Sequence, residues 1–160
     1  MNDNIQGGKV SEVVKSYLNR AFHTNQRLND SLQNLEELRA KAYSIGAVDT
    51  TKDKIQAGRV SDTIGNSVPA IVDLENQINA EIKEYTEKRQ EIKTSIERVS
   101  DEKFVTILLK RYVYFKSWEE IAVDMGYTYR HTTRLHGDAL QAFEGIFKIY
   151  VLECPMKDVV

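Results

Sequence analysis

At 160 residues and 18.4 kDa the chain suffices for one medium domain or two small ones, and its 41% apolar and 29% charged residues lie outside disordered composition. Twenty-two Lys and Arg against 24 Asp and Glu give a formal charge of −2, which excludes a histone-like wrapper and confines any nucleic-acid contact to a local patch. A single cysteine, Cys154, forms neither an internal disulfide nor a zinc site alone, the start MNDNIQGGKV has no apolar signal core, and no run approaches the roughly 18 apolar residues of a membrane span, so a cytoplasmic protein is expected.

Residues 9–45 read as helix: Val14, Ala21, Leu28, Leu35 and Ala42 recur every seven residues, with Val10, Tyr17, Leu38 and Ile45 in the matching second register. Thr24 and Ser31 also fall in that register, so the seam has a polar middle and the helix is expected to bend or split between His23 and Ser31. Gly46, Gly58 and Gly65 mark 46–67 as a polar linker. From 68 to 99 a second long helix is predicted, about 48 Å at 1.5 Å per residue, with Ser67 as its N-cap and Pro69 in its first turn. Ile71, Ile78, Tyr85, Ile92 and Val99 form its heptad line, flanked by Leu74, Ile82 and Ile96. Its charges are seven acidic against five basic, which argues against DNA lying on it; the stripe must be buried, against the first helix or a second copy of the chain.

Residues 100–147 have a different texture and form the second predicted domain, after a helical segment over 1–99 and before a tail over 148–160. Three amphipathic helices fit: 101–115 capped by Ser100, 118–125 opened by the Ser117/Glu120 capping box and stopped by Gly126, and a third from the cap Thr128 to Phe147. A short helix, a Gly-containing turn and a longer helix make helix-turn-helix arithmetic. With Thr132 and Leu135 turned inward, Tyr129, Arg130, Thr133 and Arg134 point outward at the positions a major groove would meet, where arginine can read guanine edges. From Lys103 to Gly137 six basic residues, among them Lys110, Arg111 and Lys116, stand against three acidic ones, a modest excess placed where phosphates would run.

The stretch SWEEIAVDMGYTYRHTTRLHGDAL resembles region 4 of bacterial sigma factors, with an E-E-I run, a Gly-hydrophobic-Thr turn and a basic helix ending in A-L in that order. Together with the preceding LLKRYVYFK, the block resembles more closely the ArpU/RinA-like late transcription regulators of phages and prophages of Gram-positive bacteria; the stretch IVDLENQINAEIKEY is similar to the acidic coil that precedes their domain. The resemblance covers about 68–145. It places base reading on Tyr129, Arg130, Thr133 and Arg134, the positions the helical geometry selects by itself, and backbone contact on His131. Sigma factors usually carry Arg where Tyr129 stands and a branched apolar residue where Thr132 stands, so the operator need not match a promoter element.

The other reactive residues ask for no chemistry. His131 and His136 lie five apart, the wrong spacing for two ligands on one helix face; His23 stands alone, Trp118 is core filling, and Cys154 is an incidental thiol. No phosphate-loop, dinucleotide, nucleophile-elbow or zincin motif occurs, so no catalytic residue, metal or cofactor is assigned. The expectation is an all-α protein, with a long helical hairpin or dimerisation segment before a sigma-region-4-like helix-turn-helix. It would bind double-stranded DNA as a homodimer in a bacterial host cell and regulate phage or prophage transcription, at its own operator or through host RNA polymerase. Two alternatives are an interaction module that grips polymerase or a sigma factor, and a DNA-packaging accessory like a small terminase subunit.

Overall fold

The computed structural model describes residues 4–46 and 57–149, and side chains over 12–44 and 68–149. The described residues form five helices and short connections, with no strand: α1 Asn4–Gly46, α2 Ala57–Ile96, α3 Glu102–Tyr112, α4 Trp118–Met125 and α5 Tyr129–Phe147. No helix among them is long and apolar enough to cross a membrane.

Two expectations about the long helices are corrected: a split in α1 and the place where α2 begins. α1 runs unbroken through 23–31, because Thr24 and Ser31 are buried in their heptad register and small hydroxyl side chains fit a helix–helix seam. α2 begins at Ala57, so Gly58, Gly65, Ser67 and Pro69 lie within a helix rather than in a linker or at its cap. The heptad line of Ile71 continues back through Ile64 to Ala57, and an isolated glycine costs a helix only about 1 kcal/mol. Of the expected linker only 47–56 falls outside the described residues, as do Cys154 and the tail from 150 onward.

The chain divides into two compact units, but not at residue 99. One joins α1 up to His23 with everything from Thr86 onward; the other is the helix pair from Thr24 to Tyr85. The reason lies in the width of the buried stripe. Within the first unit α1 buries Val14, Tyr17, Leu18 and Ala21, a broad face, because Tyr17 meets not only α2 but also Phe147 and Phe143 of α5, with ring centroids 5.0 and 6.4 Å away. The Tyr17 hydroxyl donates to Glu91 Oε1 at 3.1 Å and lies 3.0 Å from Ser95 Oγ; burial pushes its pKa up to about 12. In the second unit the buried set of α1 narrows to Thr24, Leu28, Ser31 and Leu35, one seam against a single helix, whose Ile78 is buried and whose Ile71, Leu74 and Tyr85 are partly so. Arg27–Glu84 at 2.7 Å and Arg39–Glu75 at 2.6 Å set the two helices antiparallel.

Within the first unit α3 packs on α5 and α4, and α4 on α5. Their core is Ile107, Leu108, Tyr112 and Val113 with Ile121, Ala122, Ala139, Leu140 and Phe143. The cap of α3 is Asp101, not Ser100: its carboxylate accepts from the N–H groups of Lys103 and Phe104. α3 ends at Tyr112, short of the expected 115, because Phe115 takes a left-handed conformation with φ 54°. Such a residue costs about 1–2 kcal/mol, and its ring is anchored 5.5 Å from that of Phe22.

Candidate functional site

The segment from Ser117 to Phe147 starts with strong local signals. Ser117 Oγ accepts from the Glu120 N–H at 3.2 Å while Glu120 Oε2 accepts from the Ser117 N–H at 2.7 Å, which closes the capping box and holds the Glu120 carboxyl below its ordinary pKa. Gly126 ends α4 at φ 68°, ψ 31°, and the next N–H, that of Tyr127, reaches back 2.9 Å to the Ala122 carbonyl. Thr128 then opens α5, its hydroxyl oxygen accepting from the His131 N–H at 3.3 Å.

Thr132 sets the rotation of α5. It is fully buried, and its hydroxyl donates to the Thr128 carbonyl at 3.1 Å. The polar atom is thereby satisfied and does not leave the small core with an unpaired group. With Thr132 inward, Tyr129, Arg130 and Arg134 are exposed while His131 and Thr133 are half-buried. The Thr133 hydroxyl donates back to the Arg130 carbonyl at 3.1 Å. Arg134 Nη2 lies 3.3 Å from His131 Nδ1, whose ring stands edge-on to Tyr127 at 4.6 Å, so the guanidinium is steered by a packed imidazole. Among the described residues neither Arg130 nor Arg134 has a carboxylate in ion-pair range. These five sequence-selected positions thus come together on the first two turns of α5.

Lys110, Arg111 and Lys116 are placed differently. The ammonium groups of Lys110 and Lys116 converge on one oxygen, Asp124 Oδ2, at 2.7 and 2.5 Å. The two hydrogen bonds push the Asp124 carboxyl down to about 2, and Asp124 raises Lys116. Arg111 donates to the Lys116 carbonyl at 3.0 Å and lies 4.6 Å over the Trp118 ring. These three cations therefore fasten α3, the 113–117 connection and α4 to one another; they are not a free phosphate-facing row.

His136 is the residue whose role the sequence does not reveal. It is half-buried, 3.0 Å from the Tyr112 hydroxyl and edge-on to Trp118 at 4.7 Å. Burial, with Lys15 and Arg111 adding repulsion, pushes its pKa down to about 4, and burial pushes the Tyr112 hydroxyl up to about 12. It is a neutral packing element between α3, α4 and α5. Trp118 is correspondingly half-buried, between a guanidinium and an imidazole. Among the described residues no three His, Cys, Asp or Glu side chains cluster as a metal site. Comparison of the chain with protein-family models, curated proteins and solved structures finds no match.

Proposed function

We propose that the chain is a sequence-specific double-stranded DNA-binding protein, with α4 and α5 as a helix-turn-helix and the start of α5 as the recognition surface. The observation that carries the reading is the rotational setting of α5: Thr132 fully buried, Tyr129, Arg130 and Arg134 exposed on the same turns. A helix presented that way, N-terminal end first, can place arginines on guanine edges in a major groove. The absence of acidic residues from Gly126 to Gly137 leaves no charge there to repel phosphate. The sequence resemblance to phage and prophage regulators gives transcription regulation as the role.

Selection of bound sequences from random duplex DNA tests the reading, followed by affinity measurements on the selected site. Arg130→Ala and Arg134→Ala are each expected to weaken specific binding by about 1–3 kcal/mol and to relax base preference. Failure to enrich any sequence, or unchanged affinity in both variants, removes the reading. A protein contact is the second reading, favoured by Val123, which stands 82% exposed on α4 beside the exposed Glu119 and Glu120. Binding whose strength hardly changes with salt would favour it over phosphate contact.

A further inference from the structure

The seam between α1 and α2 is consumed within one chain, so any self-association needs another surface. Within the unit from Thr24 to Tyr85, heptad positions can be counted with Leu28 and Leu35 of α1 and Ile71 and Ile78 of α2 at a. The ion pairs fall where an antiparallel pair requires: Arg27 and Glu84 are both at g, Arg39 and Glu75 both at e. The two flanks of the pair are therefore distinguishable. All the exposed large apolar residues of this unit among the described residues lie on one of them. Leu32 (40% exposed), Val68 (56%) and Ile82 (44%) occupy e, and Tyr43 (82%) and Val72 (48%) occupy b, which adjoins e on the helix surface. Positions c, f and g carry none; they hold Arg27, Asp30, Glu37, Lys41, Asp73, Lys83 and Glu84.

We infer that this e/b flank is the homodimer interface, on which a second copy of the chain docks through the same flank about a twofold axis. Three observations select a second copy as the occupant. First, the charges at e and b are Glu36, Arg39 and Glu75, of which Arg39 and Glu75 already neutralise one another at 2.6 Å. The flank therefore meets its own image without strong repulsion, and it has no excess of cations for a nucleic acid or an anionic lipid. Second, both helices contribute apolar residues to it, so a twofold rotation brings matching ladders face to face as an isologous contact demands. Third, the unit alone buries only Leu28, Leu35 and Ile78 of its large apolar side chains, none of them completely, with Thr24 and Ser31 filling the rest of the seam, a small core for two helices of this length. Position e is also one where these helices take lateral packing: Leu18 and Ile96, at e in the other unit, are fully buried. The interface does not depend on the DNA reading, although it would supply the twofold that an operator with two half-sites matches.

Sedimentation of the full chain without DNA over the micromolar range tests the inference. The wild type is expected to be a dimer. The double variant Leu32→Glu with Val72→Glu, both changes on exposed positions, is expected to weaken association at least about tenfold with unchanged helical circular dichroism. Asn34→Glu with Asn76→Glu, which adds the same charge on positions g and f, is expected to leave the dimer intact. Should the Glu pair cost helicity, Leu32→Ser with Val72→Ser is read in the same way. A wild-type monomer, a ring larger than a dimer, equal loss in the g/f control, or a variant as tightly dimeric as the wild type overturns the interface. Because no DNA is present, none of these outcomes bears on whether α5 reads a duplex.

Discussion

Acidification from pH 7 to pH 5 is expected to destabilise the unit that contains α3, α4 and α5, through His136 alone among the perturbed groups. Folding lowers the His136 pKa from 6.5 to about 4, so between these values the unfolded chain binds a proton that the folded chain refuses. Stability is therefore complete above the unfolded pKa and falls as pH drops toward 4. The full shift corresponds to about 3 kcal/mol, of which about 2 kcal/mol is lost between pH 7 and pH 5. Asp124 and Glu120 do not contaminate that window: their carboxyls are lowered from ordinary values of 3.8 and 4.5, so the stability they add is present above those values and lost only below them. The sole tryptophan, Trp118, has its ring 4.7 Å from that of His136 and is a local reporter of this unit. Urea unfolding followed by its fluorescence at pH 7, 6 and 5 should show the midpoint falling. His136→Gln, which keeps a partner for the Tyr112 hydroxyl, should be less stable at pH 7 but should lose the pH dependence. A wild-type midpoint that does not move, or a slope that persists in His136→Gln, would refute the burial argument.

The glycines of this unit divide by backbone, not by space. A Cβ at Gly126 or at Gly137 meets nothing within 4 Å, but Gly126 has φ 68° and Gly137 is helical. Gly126→Ala is expected to cost about 1–2 kcal/mol and Gly137→Ala to add about 0.5–1 kcal/mol, both read from denaturant midpoints. Asp124→Asn removes the anion shared by Lys110 and Lys116. If those ammonium groups then turn to the duplex, the dependence of DNA affinity on salt should steepen by about 0.9 per added phosphate contact; an unchanged slope would show that they act only inside the protein.

What was legible in the sequence was local. Ser117 with Glu120, Gly126 and Thr128 announce the limits of α4 and α5 because capping engages backbone groups only a few residues away. The heptad lines of α1 and α2 were legible for the same reason, even where Thr24 and Ser31 occupy the seam. The start of α2 was not, because Gly58 and Gly65 read locally as helix breakers and Ser67 with Pro69 as a helix start, whereas the helix carries through all four. Phe115 gives no sign that it will adopt a positive φ, a conformation that only the contact with Phe22 makes intelligible. The outward face of α5 followed from spacing once Thr132 was turned inward. The fate of Lys110 and Lys116 did not, since it depends on Asp124, 14 and 8 residues further along the chain. The burial of His136 and the division of the chain at Thr24 and Tyr85 are likewise products of tertiary packing.

Three ion pairs among the described residues join the two long helices with the arginine on α1 and the glutamate on α2: Arg20 with Glu91, Arg27 with Glu84, Arg39 with Glu75. The seam thus carries a polarity of sign as well as of direction. In this antiparallel register g faces g and e faces e, so Arg27 and Arg39 each meet a glutamate of α2 across the seam.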